Sequence, residues 1–303
     1  MRVFFSTLKR NAKPVVRWLI TGGVLFFLAS TLRQHWQAVT QQSLADIRWG
    51  YIAAALGISA IAHAWLGAVW GLILRQLRQP VPLGWATQVY LITNLAKYLP
   101  GNVWHLYGRI KTTTEQQQVT GAIATLSVVL ESLLIAAAAL LVTVLSFPSS
   151  HWPVQVLVLA LALLSVHPRL LNPVIRLASR WKQTPQAPQQ LVAYPLLPFG
   201  AEVVYILLRT VGFLLTLAAF GELELTRLPQ LISAFAFAWL LGFVLPGAPG
   251  GVGVFEGTLL ALLQGDFIVA IALYRLVSTL AEALGAGLAW LNGKRNQPSL
   301  PSL

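Results

Sequence analysis

Seven ionisable residues lie inside strongly apolar stretches of this chain: Lys97, Glu131, Glu202, Arg209, Glu256, Arg275 and Glu282. Placing one such group in a bilayer costs roughly 2.5–3.5 kcal/mol even on the lenient insertion scale. Such residues therefore face one another, a polar cavity or a ligand. Lysine and arginine can hold a phosphate or carboxylate; glutamate can neutralise those cations or relay protons. Lys97, Arg209 and Arg275 are read as anion contacts. Glu131, Glu202, Glu256 and Glu282 are read as groups that tune or pair with them. At about 1.5 Å of rise per residue, Lys97 and Glu131 fall roughly 20 Å from the cytoplasmic side, and Glu256 and Arg275 about 12 Å from the outer side. Arg209 and Glu282 lie near mid-membrane on antiparallel runs. Depth alone thus predicts three ion pairs: Lys97–Glu131, Glu256–Arg275 and Arg209–Glu282.

The second chemical feature is "LPGAPGGVGVFEG", residues 245–257, which interrupts two apolar runs with five glycines and two prolines. Irregular backbone at membrane depth leaves amide groups that lipid cannot satisfy, so it must face protein or a wet cavity. Gly250, Gly251 and Gly253 leave the backbone bare for close approach of a polar group. A helix restarting near Val252 would aim its free N–H groups into the same space, where they attract phosphate or carboxylate. "PGNVWH" repeats the feature more weakly, which adds Gly101, Asn102 and His105 to the candidate anion-binding set.

Other chemistry finds little support. The five histidines have no spacing that makes a metal site, and no nucleophile–base pair or paired acid is evident. "GGVG" has no preceding strand and no closing Lys-Ser/Thr, so it does not read as a nucleotide loop. The absence of cysteine excludes disulfides and thiol chemistry. No metal, no catalytic residue and no cofactor is implied.

The elements that position these residues follow from composition. The chain has 303 residues, 56% hydrophobic and only 10% charged, with a mean hydropathy of +0.69. A soluble domain carries roughly a quarter charged residues, and many apolar runs here approach the ~20 residues that cross a bilayer as a helix. The expectation is an all-α polytopic membrane protein. Full spans are predicted near 15–32, 50–74, 119–147, 152–166, 196–220 and 267–291. Two further segments, about 82–111 and 229–263, break at "YLPG" (98–101) and "VLPG" (244–247). They read as oppositely oriented re-entrant hairpins of broken helix, and so as an inverted repeat. Residues 1–303 form one integral membrane domain. Its first half is about 1–166 and its second about 194–295, joined by an amphipathic surface helix and linker over 167–193.

Charge placement fits this layout. Of 21 lysines and arginines, 15 fall on segments assigned to the cytoplasm, among them Arg109, and only Arg33, Arg48 and Arg227 fall outside. The positive-inside rule then places both termini in the cytoplasm and the protein in the inner (plasma) membrane. The +12 net charge sits at span ends, so a nucleic-acid partner is not implied.

"LPGAPGGVGVFEG" followed by "ALYRLVSTL", with "NLAKYLPGNVWHLYGR" and "SVVLESLL" upstream, resembles the lysylphosphatidylglycerol synthase transmembrane-region family, a flippase-like domain. The resemblance covers nearly the whole chain. It implies a membrane domain that moves or presents anionic, aminoacylated or polyprenyl-linked lipids. Pro100, Gly101, Glu131, Pro249, Gly250, Gly251, Gly253, Glu256 and Arg275 carry over as motif positions. Aminoacyl-transferring members add a soluble catalytic domain. The chain stops soon after Lys294, so lysyl transfer by this chain alone is not expected. The function expected is a flippase-like protein that binds an anionic (phospho)lipid head group in an intramembrane polar cavity and assists its transfer between leaflets. The partner is an anionic phospholipid or polyprenyl-linked lipid, and a separately encoded lipid-modifying enzyme is a further candidate. The alternatives are a small-solute secondary transporter or the membrane subunit of a lipid-modifying enzyme.

Overall fold

The computed structural model describes residues 33, 47–99, 103–146, 152–170, 172–173, 193–245, 249–263 and 267–295. Among them the chain is helical throughout, without strands. The helices are α1 (Trp49–Gln76), α2 (Leu83–Asn94), α3 (Trp104–Gln117), α4 (Gly121–Ser146), α5 (Trp152–Ser165), α6 (Leu196–Ala219), α7 (Leu228–Val244), α8 (Val254–Leu262) and α9 (Ile268–Arg295). Leu95–Tyr98 continues α2 as a 3₁₀ turn, and Leu225–Arg227 leads into α7 in the same form.

Five segments are long and apolar enough to cross a membrane: Trp49–Gln76, Gly121–Ser146, Leu196–Ala219, Leu225–Val244 and Ile268–Gly293. Their outer surfaces keep large apolar side chains uncovered. Leu145 is 72% exposed, Leu196 69% and Leu288 63%. In water such surface would be destabilising; in lipid it is the ordinary exterior. The protein is an integral membrane protein.

Four of these segments coincide with predicted spans. The predicted span at 15–32 lies outside the described residues. The span predicted at 152–166 is a helix of only 14 residues, about 21 Å long and short of the ~30 Å hydrocarbon layer. The second broken segment also departs from a symmetric hairpin. Its first arm with the 3₁₀ lead-in runs 20 residues, whereas α8 has 9. The predicted surface helix at 168–182 lies mostly outside the described residues.

Both breaks are real interruptions of helix. Helical structure stops at Tyr98 and resumes at Trp104; it stops again at Val244 and resumes at α8 after a short 3₁₀ turn at Pro249–Gly251. Span, broken pair, span therefore occurs twice in the chain. α1 packs against α6, α2 and α9 at the centre. Gly67 allows the closest of these approaches: a methyl group there would lie 2.7 Å from the Thr87 Cα. One core joins Trp70, Tyr90, Ile135, Tyr205 and Ala236. A second is aromatic, with Phe213 stacked on Phe235 at 5.2 Å and Tyr274 edge-on to both. These cores hold α1, α4, α6, α7 and α9 as a frame around the two breaks.

Candidate functional site

The two breaks meet. The 3₁₀ turn ending at Tyr98 touches the turn at Pro249–Gly251, and a methyl group on Gly250 would lie 3.0 Å from the Tyr98 ring. Beside this contact is a cavity of about 190 Å³. Its polar wall includes Lys97, His105, Arg109, Arg209, Arg275 and Glu282, contributed by the first break, α3, α6 and α9, with Gly250 of the second break beside them. Lys97 and Glu282, 185 positions apart in sequence, meet there.

Four lysine and arginine side chains line the cavity, and three have a carboxylate partner. Arg275 Nε donates to Glu256 Oε1 at 2.5 Å, as depth predicted. Lys97 does not pair with Glu131; its Nζ donates to Glu282 Oε1 at 2.6 Å. Glu131 is instead held by Arg109 Nη1 at 2.7 Å and by the Tyr90 hydroxyl at 2.9 Å. The reason is that depth fixes height along a helix but not the face presented. The turn after Asn94 carries Lys97 toward α9, and Arg109 from α3 reaches Glu131 on α4. Arg109 is thus a buried, paired residue and not the exposed basic span end that its place in the charge pattern implied. It is 3% exposed, with its guanidinium 4.4 Å above the Tyr90 ring.

Arg209 differs from the other three. It does not pair directly with Glu282. Its Nη1 donates to Ser278 Oγ at 2.6 Å and faces His63 Nε2 at 3.0 Å. His63 Nε2 in turn lies 3.2 Å from Glu282 Oε1. The guanidinium carbon sits 5.3 Å from the Tyr274 ring centre, and its Nε has no partner among the described residues. Arg209 is 4% exposed. A buried guanidinium with no direct carboxylate partner and an unpaired Nε donor has hydrogen-bonding capacity left for a further acceptor.

The glycine-rich break behaves differently from expectation. Gly250, Gly251 and Gly253 have φ of 65°, 72° and 81°, so each uses the left-handed backbone that glycine permits. Only Gly250 of the three lines the cavity. Gly251 is pressed onto α7, where an added methyl would lie 2.5 Å from the Gly242 carbonyl oxygen. The start of α8 is already taken by an anion: Gly253 N–H donates to Glu256 Oε2 at 2.7 Å. Arg275 clamps the same loop, with Nη2 donating to the Gly251 carbonyl at 3.0 Å. The motif therefore builds and caps its own turn, and presents Arg275 to the cavity instead of a free helix end. Gly251→Ala is expected to destabilise the protein by several kcal/mol, since it adds a backbone clash to a left-handed φ. Gly253→Ala, with open space beside it, is expected to cost less, from its positive φ alone. Thermal melting of the two variants in detergent checks the order; equal losses would contradict the packing of Gly251 on Gly242.

The remaining candidates divide. His105, in the first turn of α3, is buried and lines the cavity, as expected. Glu202 is fully buried on α6, and both carboxylate oxygens lack a hydrogen-bond partner among the described residues. It is therefore not in the predicted kind of pair. Pro100, Gly101 and Asn102 lie outside the described residues.

Sequence reasoning missed Arg109, His63, Tyr98 and Ser278. A usable signal existed. Arg275, Ser278, Thr279 and Glu282 recur at i, i+3, i+4 and i+7, which is one face of a helix, and on α3 the same spacing links His105 to Arg109. No family model, no curated protein and no solved structure matches this chain.

Proposed function

We propose that this protein binds the anionic head group of a lipid in the cavity between its two broken helices and assists passage of that lipid between leaflets. The observation that carries the reading is the excess cation. Lys97, Arg109 and Arg275 are matched by Glu282, Glu131 and Glu256, while Arg209 lines the same cavity with no direct carboxylate partner. A guanidinium without a direct carboxylate partner favours an anion in a low-dielectric setting. A volume of about 190 Å³ suits a head group and not a whole lipid.

The surroundings suit an amphiphile. Phe243 forms part of the cavity wall and is 36% exposed, and it leads to Val244 and Leu245 at 55% and 46%. A polar chamber with apolar surface beside it can hold a head group while acyl chains stay in lipid. The resemblance to the flippase-like family supports the same reading. The positive-inside pattern of the sequence is consistent with an inner-membrane protein whose termini are both cytoplasmic.

The test is reconstitution into vesicles carrying a fluorescent phosphatidylglycerol in both leaflets, with a membrane-impermeant quencher added outside. The reading predicts quenching beyond the outer-leaflet share in protein-containing vesicles only. Quenching that stops at the same level as in empty vesicles, with folded protein present, would overturn it. Uptake of free phosphate by the same vesicles, without lipid exchange, would point to a solute transporter.

A further inference from the structure

We infer that His63 is a proton-binding site which couples anion binding in the cavity to proton uptake. The inference rests on the proposed anion site and concerns how that site is driven. His63 lies on α1 and is 2% exposed. Its Nε2 stands between Arg209 Nη1 at 3.0 Å and Glu282 Oε1 at 3.2 Å. A guanidinium can only donate and a carboxylate can only accept. One ring nitrogen cannot satisfy both. A bare Nε2 spends its single lone pair accepting from Arg209 and offers Glu282 no hydrogen. An Nε2 that carries a hydrogen donates to Glu282 and gives up Arg209; the imidazolium also repels Arg209 by its charge, whereas the neutral Nε2–H ring makes the same switch without proton uptake.

The two arrangements have opposite consequences for a ligand. With Nε2 bare, one of the Arg209 donors is occupied by the imidazole. With Nε2 protonated, that donor is released toward the cavity. Glu282 Oε1, which also accepts from Lys97 Nζ at 2.6 Å, then gains a second donor, so Lys97 can share its charge with an incoming phosphate. An anion arriving at Arg209 competes with His63 for the same donor and adds negative charge beside the ring. Both effects favour the protonated imidazole. Each ligand helps the other, and linkage makes the coupling reciprocal.

Two other buried titratable groups stand nearby, His105 on the cavity wall and Glu202 on α6, but neither bridges a cation and a carboxylate as His63 does. From α6, Arg209 and Tyr205 face the ring, with Tyr205 at 6.5 Å between centroids. From α9 comes Glu282, while Tyr274 lies beneath Arg209. From the first break comes Lys97 through the shared carboxylate oxygen. On α2 and α4, Tyr90 and Glu131 are engaged with each other and with Arg109. His63 Nδ1 is buried without a partner among the described residues, so no hydrogen bond among them fixes the tautomer. Histidine is the side chain whose charge ordinarily changes between about pH 5 and 8.

The experiment is calorimetric titration of the purified full chain with short-chain phosphatidylglycerol, across that pH range, in buffers of different ionisation enthalpy. The wild type is expected to take up protons, as many as one per lipid bound. Its affinity should rise as pH falls, by up to about tenfold per unit. His63→Gln offers an amide oxygen to Arg209 and an amide N–H to Glu282 at once, without titrating. That variant is expected to bind the lipid with no proton uptake. Wild-type binding with no proton uptake anywhere in the range would overturn the inference, as would a Gln variant that keeps the wild-type uptake. Arg209→Gln separates the two levels. If wild type binds no more tightly than that variant, the anion site itself fails and the coupling with it. If binding depends on Arg209 yet is proton-neutral, only the role of His63 fails.

Discussion

Replacing Arg209 with glutamine is expected to weaken binding of an anionic phospholipid, and to slow its leaflet exchange, by roughly ten- to hundredfold. A hydrogen bond to a charged group contributes about 1.5–3 kcal/mol, and 1.4 kcal/mol is a factor of ten. The fold should survive, because no carboxylate loses a direct partner: Arg209 touches Ser278 and His63, not Glu282. That separates it from Lys97→Gln, which strips Glu282 of its closest cation and should lower stability and binding together. Arg209→Lys keeps the charge but not the planar fork, and should fall between wild type and glutamine. Binding and exchange rates for the three variants, with melting curves beside them, check this. A glutamine variant that melts like wild type and exchanges lipid at the wild-type rate would remove Arg209 from the site.

The Arg109–Glu131 pair should show the opposite behaviour, a large effect on stability. Both partners are almost fully buried, at 3% and 4% side-chain exposure. Removing one member of a buried pair typically costs about 3–5 kcal/mol, because the other charge is left uncompensated. Arg109→Met is therefore expected to lower the melting temperature sharply or prevent accumulation of folded protein. Adding Glu131→Gln should recover most of the loss. The amide oxygen can still accept from the Tyr90 hydroxyl, which donates to Glu131 at 2.9 Å in the native protein. A double variant as unstable as the sum of the two singles would contradict a direct pair.

The helical frame was largely legible in the sequence, because length and continuous apolarity state a transmembrane helix almost by themselves. The second, third, fifth and last predicted spans match α1, α4, α6 and α9 to within a few residues. Both breaks were readable for the same reason, since proline and glycine interrupt a helix wherever it lies. The pairing of charges was only partly readable. Glu256 and Arg275 are held together by one local loop and the helix that follows it, so depth sufficed. Lys97 and Glu282 are 185 positions apart, and their meeting depends on the turn after Asn94 and on how α2 lies against α9. Neither can be read from rise per residue. Arg109 was misplaced because "GRIK" reads as a basic end of a span, while the exposed faces of α3 conceal that its His105–Arg109 face points inward. The glycines of 250–253 announced an irregular backbone. That Gly251 serves contact with Gly242 while Glu256 fills the start of α8 follows only from the folded loop.

The most direct measurement is a structure determined with a short-chain phosphatidylglycerol bound, with the phosphorus position as its readout. The expected result is a phosphate in the cavity between the breaks, within hydrogen-bond reach of Arg209 and close to Lys97, with the acyl chains leaving past Phe243. Lipid found only on the outer apolar faces, with the cavity empty and Arg209 still bound to Ser278 and His63, would contradict it.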